Sequence, residues 1–214
     1  AGHIITNNAE HHAVLAAAKQ HDITILPVDA RGIIAAADIK KAIQPTTQLI
    51  SVSLANNELG TIQPLRDIAT VVKNERDVRL ARGDHTPIYL HTDASQGVGQ
   101  LDVNVARLGV DLLTLNAAKV YGPKQVGALW AAPAVVLTAA IQGGGQERGL
   151  RSGTENVAGA IGFAKALELA TAHRQHESMR LATLRDYLQQ ALIAHFPDAV
   201  VSGYQKHRLA GHLH

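Results

Sequence analysis

Short apolar runs alternate with amphipathic segments along the first two thirds of the chain. The runs are rich in β-branched residues and predict strands over residues 3–6, 23–28, 49–55, 88–93, 112–115 and 126–131. Apolar residues spaced three and four positions apart predict helices over residues 12–20, 36–43, 64–72 and 103–108. This alternation favours an α/β fold with a mostly parallel sheet flanked by helices.

The last third of the chain has a different pattern. Residues 156–195 are helical in character throughout, and we interpret them as two stretches that meet near residues 172–175. A β-branched run over 199–203 predicts a further strand. We therefore expect a large domain over residues 1–172 and the beginning of a smaller α+β domain over 173–214. The chain starts without Met, inside a strand-like run, so we expect a fragment truncated on both sides.

Composition and charge exclude several classes of protein. The 214 residues carry a formal net charge of +2 and no cysteine, which excludes a disulfide-stapled scaffold. Aromatic residues make up 3% of the chain, and its basic residues are dispersed, so we predict no nucleic-acid binding. The charged segment 74–86 is interpreted as a helix end and a solvated loop. No apolar run suggests a membrane span or a signal peptide, and we expect a cytoplasmic protein.

Polar side chains follow the predicted strands at the points where ligands bind to parallel sheets. Asp93 ends one strand, and Lys119 follows the next strand one crossover later. A pyridoxal phosphate (PLP) enzyme needs both groups, because a lysine amine holds the cofactor aldehyde and a carboxylate keeps its pyridine nitrogen protonated. The spacing alone leaves a second interpretation open, in which Asp93 and Lys119 form only a salt bridge.

Two further segments are candidate sites. Residues 143–154 contain five glycines, two arginines and a threonine. This composition suits a phosphate-binding loop that leads into a helix N-terminus, but it equally suits a loop that only links two domains. The His11-His12 pair suggests a metal site only weakly, because adjacent helical residues point in different directions. We therefore predict no metal.

Five motifs, in order and with the expected spacings, resemble the cysteine desulfurases, which belong to the class V branch of the fold type I PLP enzymes. The resemblance covers about residues 3–203, and implies that residues 1–172 form the PLP-binding domain and that the chain is the central part of a longer enzyme. The motifs are Glu10-His11, Asn56-Asn57-Glu58-Leu59-Gly60, His91-Thr92-Asp93-Ala94-Ser95-Gln96, Lys119-Val120-Tyr121-Gly122-Pro123-Lys124 and the loop 143–154.

The resemblance implies a role for each matching residue. Lys119 would hold the cofactor covalently and move the substrate α-proton, Asp93 would pair with the pyridinium nitrogen, and His11 would stack on the ring. The remaining residues would contact the ring hydroxyl or the phosphate. These are Asn57 and Gln96 at the hydroxyl, Asn116 at the phosphate, and Thr154 at the phosphate of a partner subunit in a homodimer.

The implied reaction removes sulfur from L-cysteine to give L-alanine and an enzyme persulfide, which feeds a sulfur acceptor or an iron–sulfur scaffold protein. It needs a reactive thiol, and this chain has none. Ala118 stands where the family usually has histidine, so the phosphate would be held less firmly or by groups outside this sequence, and Gln146 replaces another common histidine with a neutral group. Two alternatives remain open: another class V enzyme such as a selenocysteine lyase, and a catalytically silent fragment. We expect no turnover from these residues alone.

Overall fold

The computed structural model describes residues 2–214 and contains one six-stranded sheet. The strand order is β2-β1-β3-β4-β5-β6, and every neighbouring pair is parallel except the antiparallel β5–β6 pair. This arrangement confirms the predicted α/β fold with a mostly parallel sheet. The strands are β1 (His3–Asn7), β2 (Ile23–Leu26), β3 (Thr47–Ser51), β4 (Tyr89–Asp93), β5 (Leu112–Asn116) and β6 (Gly127–Ala131).

Helices connect the strands and cover the sheet. They are α1 (His12–Ala18), α2 (Ala36–Ala42), α3 (Leu65–Ala81), α4 (Val105–Leu108) and α5 (Val157–His195), with 3₁₀ turns at Ala117–Val120 and Glu147–Gly149. The main core packs strand residues such as Ile5, Ile50 and Leu90 with Ile39 of α2 and Ile68 of α3, all fully buried. Burial of this apolar surface is what fixes the sheet against its helices.

Helix α3 extends further than its hydrophobic pattern predicted. It continues to Ala81, so most of the charged segment 74–86 is helix and only its last residues form the expected loop. Arg79 explains part of the difference, because its side chain is 4% exposed and donates hydrogen bonds to the carbonyl oxygens of Gln44, Thr47 and Thr86. A charged residue is thus buried at the helix end by satisfying free carbonyl groups.

Helix α5 is continuous, so the predicted division into two stretches near residues 172–175 is wrong. That segment contains no proline or glycine to break the helix, and nearby α5 side chains bond to residues 100 and 101. Arg174 donates to the carbonyl oxygen of Leu101, and Ser178 donates to that of Gln100. The domain division at residue 172 stays a prediction.

The predicted strand over 199–203 does not form. Ser202 N–H donates to the carbonyl oxygen of His214, and Val200 is 85% exposed. Within residues 2–214 no neighbouring strand pairs with this segment, and an extended segment needs such a partner to count as a strand. In the same described range, no helix has both the length and the apolar character needed to cross a membrane.

Candidate functional site

A cavity of about 550 Å³ lies where β3, β4 and β5 end. The crossovers of a parallel sheet bring these strand ends to one edge, which is the usual ligand-binding position in such sheets. Six of the seven residues that sequence reasoning selected for the site lie in its wall. They are His11, Asn57, Asp93, Gln96, Asn116 and Lys119.

Asp93 and Lys119 face the same cavity from neighbouring elements. Asp93 is the last residue of β4 and accepts a hydrogen bond from Ser95 N–H at 2.9 Å. Lys119 lies in the 3₁₀ turn after β5 and is exposed. No ion pair joins the two side chains in the described residues, so the simple salt-bridge interpretation has no support here.

Asn116 shapes the turn that carries the lysine. Its Oδ1 accepts a hydrogen bond from Ala118 N–H at 3.0 Å and caps the 3₁₀ turn. The amide Nδ2 group is the donor that a bound anion can use. Ala118 is exposed and offers only a methyl group. An anion at this corner of the cavity therefore lacks the imidazole donor expected from the resemblance.

His11 is both the N-cap of α1 and part of the cavity wall. Its Nδ1 accepts a hydrogen bond from Ala13 N–H at 3.2 Å. In the neutral ring the proton is then on Nε2. The ring is exposed, so one face can meet a planar ligand.

The glycine-containing loop does not contribute to the cavity. Thr154 is exposed and is absent from the cavity wall, in contrast to the other six selected residues. Inside the loop, Gln146 Oε1 accepts from Gly153 N–H, and buried Ser152 accepts through Oγ from Gly145 N–H. These contacts order the loop without placing it at the site, and the phosphate role of Thr154 stays a prediction.

Sequence reasoning missed several polar residues of the wall. Ser53, Ser95, Thr114 and Gln125 all line the cavity. Ser95 could have been identified because it directly follows a predicted strand, where ligands bind to parallel sheets, and lies inside a motif already noted. Thr114 and Gln125 could not be identified that way. Thr114 lies within β5, and Gln125 lies just before β6, which pairs with β5 in the antiparallel direction.

His91 links three strands beside the cavity. Its Nδ1 lies 2.8 Å from Ser51 Oγ of β3, and its Nε2 lies 2.9 Å from Thr114 Oγ1 of β5. Burial lowers the pKa of His91, although the nearby Asp93 carboxylate opposes that shift. A neutral imidazole thus connects the strand that carries Asp93 to both neighbouring strands.

Glu10 is an acid buried close to the site. Ser53 N–H donates to its Oε1 at 2.8 Å and Asn7 Nδ2 donates to the same atom at 2.5 Å. The second oxygen, Oε2, is buried and has no hydrogen-bond partner in residues 2–214. Burial raises the pKa of Glu10 to about 7, and Asp93 adds to that shift by charge repulsion.

We expect the raised pKa of Glu10 to make stability fall with pH. The ordinary pKa of a glutamate is 4.5, and that of Glu10 is about 7. Between these two pH values the folded state binds more protons than the unfolded state, so the free energy of unfolding decreases as pH rises. Glu10→Gln removes this cost, and its stability relative to wild type should improve across that window by up to about 3 kcal/mol. Urea unfolding from pH 4 to 8 measures it, with exposed Glu155→Gln as the control. Parallel pH profiles for wild type and Glu10→Gln would contradict the assignment.

The chain is similar in sequence and in structure to known proteins. Residues 1–213 match the sequence family described as Aminotransferase class-V. The cysteine desulfurase IscS of Dictyoglomus turgidum is 44% identical over 216 residues, which cover 99% of this chain and 52% of that protein. The chain thus spans about half the length of the curated relatives it matches.

Solved structures show the same fold. A NifS-like protein superposes with a TM-score of 0.87 at 34% identity, covering 98% of this chain and 56% of that one. The structure of SspA in complex with cysteine gives a TM-score of 0.70 at 40% identity, over 78% of this chain and 47% of that one. The similarity therefore covers both the sheet and the elements that form the cavity.

Proposed function

Because this chain belongs to the class V aminotransferase family, we propose that it is the PLP-binding part of a cysteine desulfurase. Family members depend on PLP. The observation that carries the proposal is the cavity that brings Asp93, Lys119, His11 and Asn57 together. The relatives' names, cysteine desulfurase IscS and NifS-like protein, support the substrate class.

The residues of the cavity fit the cofactor. A volume of about 550 Å³ lies in the range of small-molecule and cofactor sites. The wall offers an amine for the aldehyde, a carboxylate for a ring nitrogen, an imidazole for a ring face and amides for a ring hydroxyl. This donor set matches the functional groups of PLP.

Each residue has a distinct task in the proposed mechanism. PLP, when bound, supplies an electron sink for bond cleavage next to the amino group of the substrate. Asp93 would keep a proton on the ring nitrogen, which would sustain that sink. Lys119 would anchor the cofactor through Nζ, and after substrate binding the same amine would take and return the α-proton. His11 would stack on the ring and Asn57 would hydrogen-bond its hydroxyl, so that the two residues would fix the position of the ring.

Sulfur removal itself needs a thiolate that these 214 residues do not contain. In the proposed reaction the thiolate attacks the sulfur of bound L-cysteine, the C–S bond breaks, and L-alanine leaves after protonation. A sulfur acceptor or an iron–sulfur scaffold protein would receive the persulfide sulfur. We place this activity in the cytoplasm.

Thr154 supports a homodimer within this proposal. The residue is exposed and outside the cavity of its own chain, although the resemblance gives it a cofactor phosphate. In a homodimer, that phosphate would be the one bound by a second copy of the chain. Sedimentation of the PLP-loaded chain should then show a dimer, and a monomer at all concentrations would exclude the shared site.

The decisive test is a PLP titration of the purified chain, followed by borohydride reduction and peptide mass mapping. We expect one reduced adduct, on Lys119. Addition of L-cysteine should then change the visible absorption without releasing sulfide, because the chain contains no thiol. An adduct spread over surface lysines would contradict the site. An unchanged spectrum with L-cysteine would favour the catalytically silent alternative, and a response to L-selenocysteine alone would favour a selenocysteine lyase.

A further inference from the structure

Two buried polar residues sit next to two residues of the cavity wall. Glu10 precedes His11, and Asn56 precedes Asn57. Both are almost fully buried, with exposed fractions of 6% for Glu10 and 7% for Asn56, and neither lines the cavity. Their contacts are therefore with the protein and not with a ligand.

These contacts join the two loops that carry His11 and Asn57. Glu10 reaches across to accept from Ser53 N–H at 2.8 Å, and Asn56 reaches back to donate through Nδ2 to the carbonyl oxygen of Ala9 at 2.8 Å. Each loop thus supplies one side chain to the backbone of the other. Both donors lie on the loop of Asn57 and both acceptors on the loop of His11, and we term the two hydrogen bonds together the reciprocal clamp.

Both ends of the clamp are themselves held in place. On the Glu10 side, Asn7 donates through Nδ2 to Glu10 and accepts through Oδ1 from Ala9 N–H. On the other side, Asn56 Oδ1 accepts from the N–H groups of Glu58 and Leu59, which fixes the loop just after Asn57. Side chains that are locked by packing and hydrogen bonds hold a neighbouring functional group in a fixed position.

We propose that Glu10 and Asn56 are positioning residues that fix His11 and Asn57 relative to each other across the cofactor cavity. The inference rests on the proposed function for its ligand, because PLP is the group that would contact His11 and Asn57. Neither residue reaches the cofactor, so both act through the neighbours that do. Glu10 in particular needs its oxygen acceptor and not its charge.

The test compares PLP affinity among variants of the chain. Glu10→Ala and Asn56→Ala should each weaken PLP binding about tenfold, because a buried donor or acceptor is left unpaired and the wall residue moves. Glu10→Gln keeps an oxygen at Oε1 and should stay within about threefold of wild type. The double variant should lose little more than either single one, because the two residues act as a unit.

Gln63 provides the matched control. It is also a buried amide that joins two segments, accepting from Ile34 N–H and donating to the carbonyl oxygen of Gly32, and it is absent from the cavity wall. Gln63→Ala should lower the free energy of unfolding and leave PLP affinity unchanged. An equal loss of PLP affinity in Gln63→Ala and Glu10→Ala would show that the clamp affects only the general stability of the fold, and would overturn the proposal.

A measurement without cofactor separates this inference from the proposed function. Amide hydrogen exchange at Ser53 should be faster in Glu10→Ala than in wild type, and Glu10→Gln should restore the protection. If wild type binds no PLP, the proposed function fails, and this exchange pattern still decides the clamp. Unchanged exchange at Ser53 in Glu10→Ala would overturn it.

Discussion

Replacement of Lys119 by alanine should abolish covalent attachment of PLP. Among the described residues, Lys119 is the only lysine in the cavity wall, and its amine is the only group there that can condense with an aldehyde. Borohydride reduction followed by mass mapping should show complete loss of the adduct. Because the side chain is exposed and in no ion pair of the described residues, the fold should remain intact.

Lys124 is the control for that experiment. It lies in the same motif, five positions later, and is exposed but absent from the cavity wall. Lys124→Ala should keep the adduct at the wild-type level. An undiminished adduct in Lys119→Ala would remove the central residue from the proposed site, whereas loss in both variants would indicate a general effect on the loop.

Replacement of Asp93 should produce the second large effect. Asp93→Asn keeps an oxygen that can accept from Ser95 N–H, but it removes the charge that would hold a proton on the ring nitrogen. We expect PLP affinity to fall about ten- to a hundredfold, as for a charged hydrogen bond of about 1.5–3 kcal/mol. The adduct on Lys119 should still form at saturating PLP, with an altered absorption spectrum.

The control for Asp93 is a carboxylate that serves only the fold. Asp102 bonds Arg107 and Asn104 N–H on the surface and does not line the cavity. Asp102→Asn should leave PLP affinity unchanged. An Asp93→Asn variant with wild-type affinity and spectrum would show that the carboxylate does not contact the ring nitrogen.

Much of the fold follows from local patterns in the sequence. The β-branched runs and the three-and-four spacing of apolar residues identified all six strands and the order of the helices between them. Their positions just after predicted strands then identified Asp93, Gln96 and Asn57 as neighbours at one edge of the sheet, because parallel strands joined by crossovers end on the same side. These inferences need only chain periodicity and connectivity.

Other features depend on contacts between distant residues. The burial of Arg79 and the continuity of α5 follow from carbonyl groups of other segments, which no local pattern reports. Residues 199–203 have strand propensity but no pairing strand in residues 2–214. Propensity therefore failed where hydrogen-bonding partners decide the conformation.

For the site, too, some features follow from the sequence and others only from the tertiary structure. The sequence by itself determined the chemistry, because residue type fixes what a lysine amine, a carboxylate or an amide can do at a strand end. Only the tertiary structure decided that Thr154 lies apart from the other six residues, that Thr114 and Gln125 join them, and that Glu10 and Asn56 link two loops. Distances across a sheet and the burial of a carboxylate are properties of packing, and packing brings together residues that are far apart in the sequence.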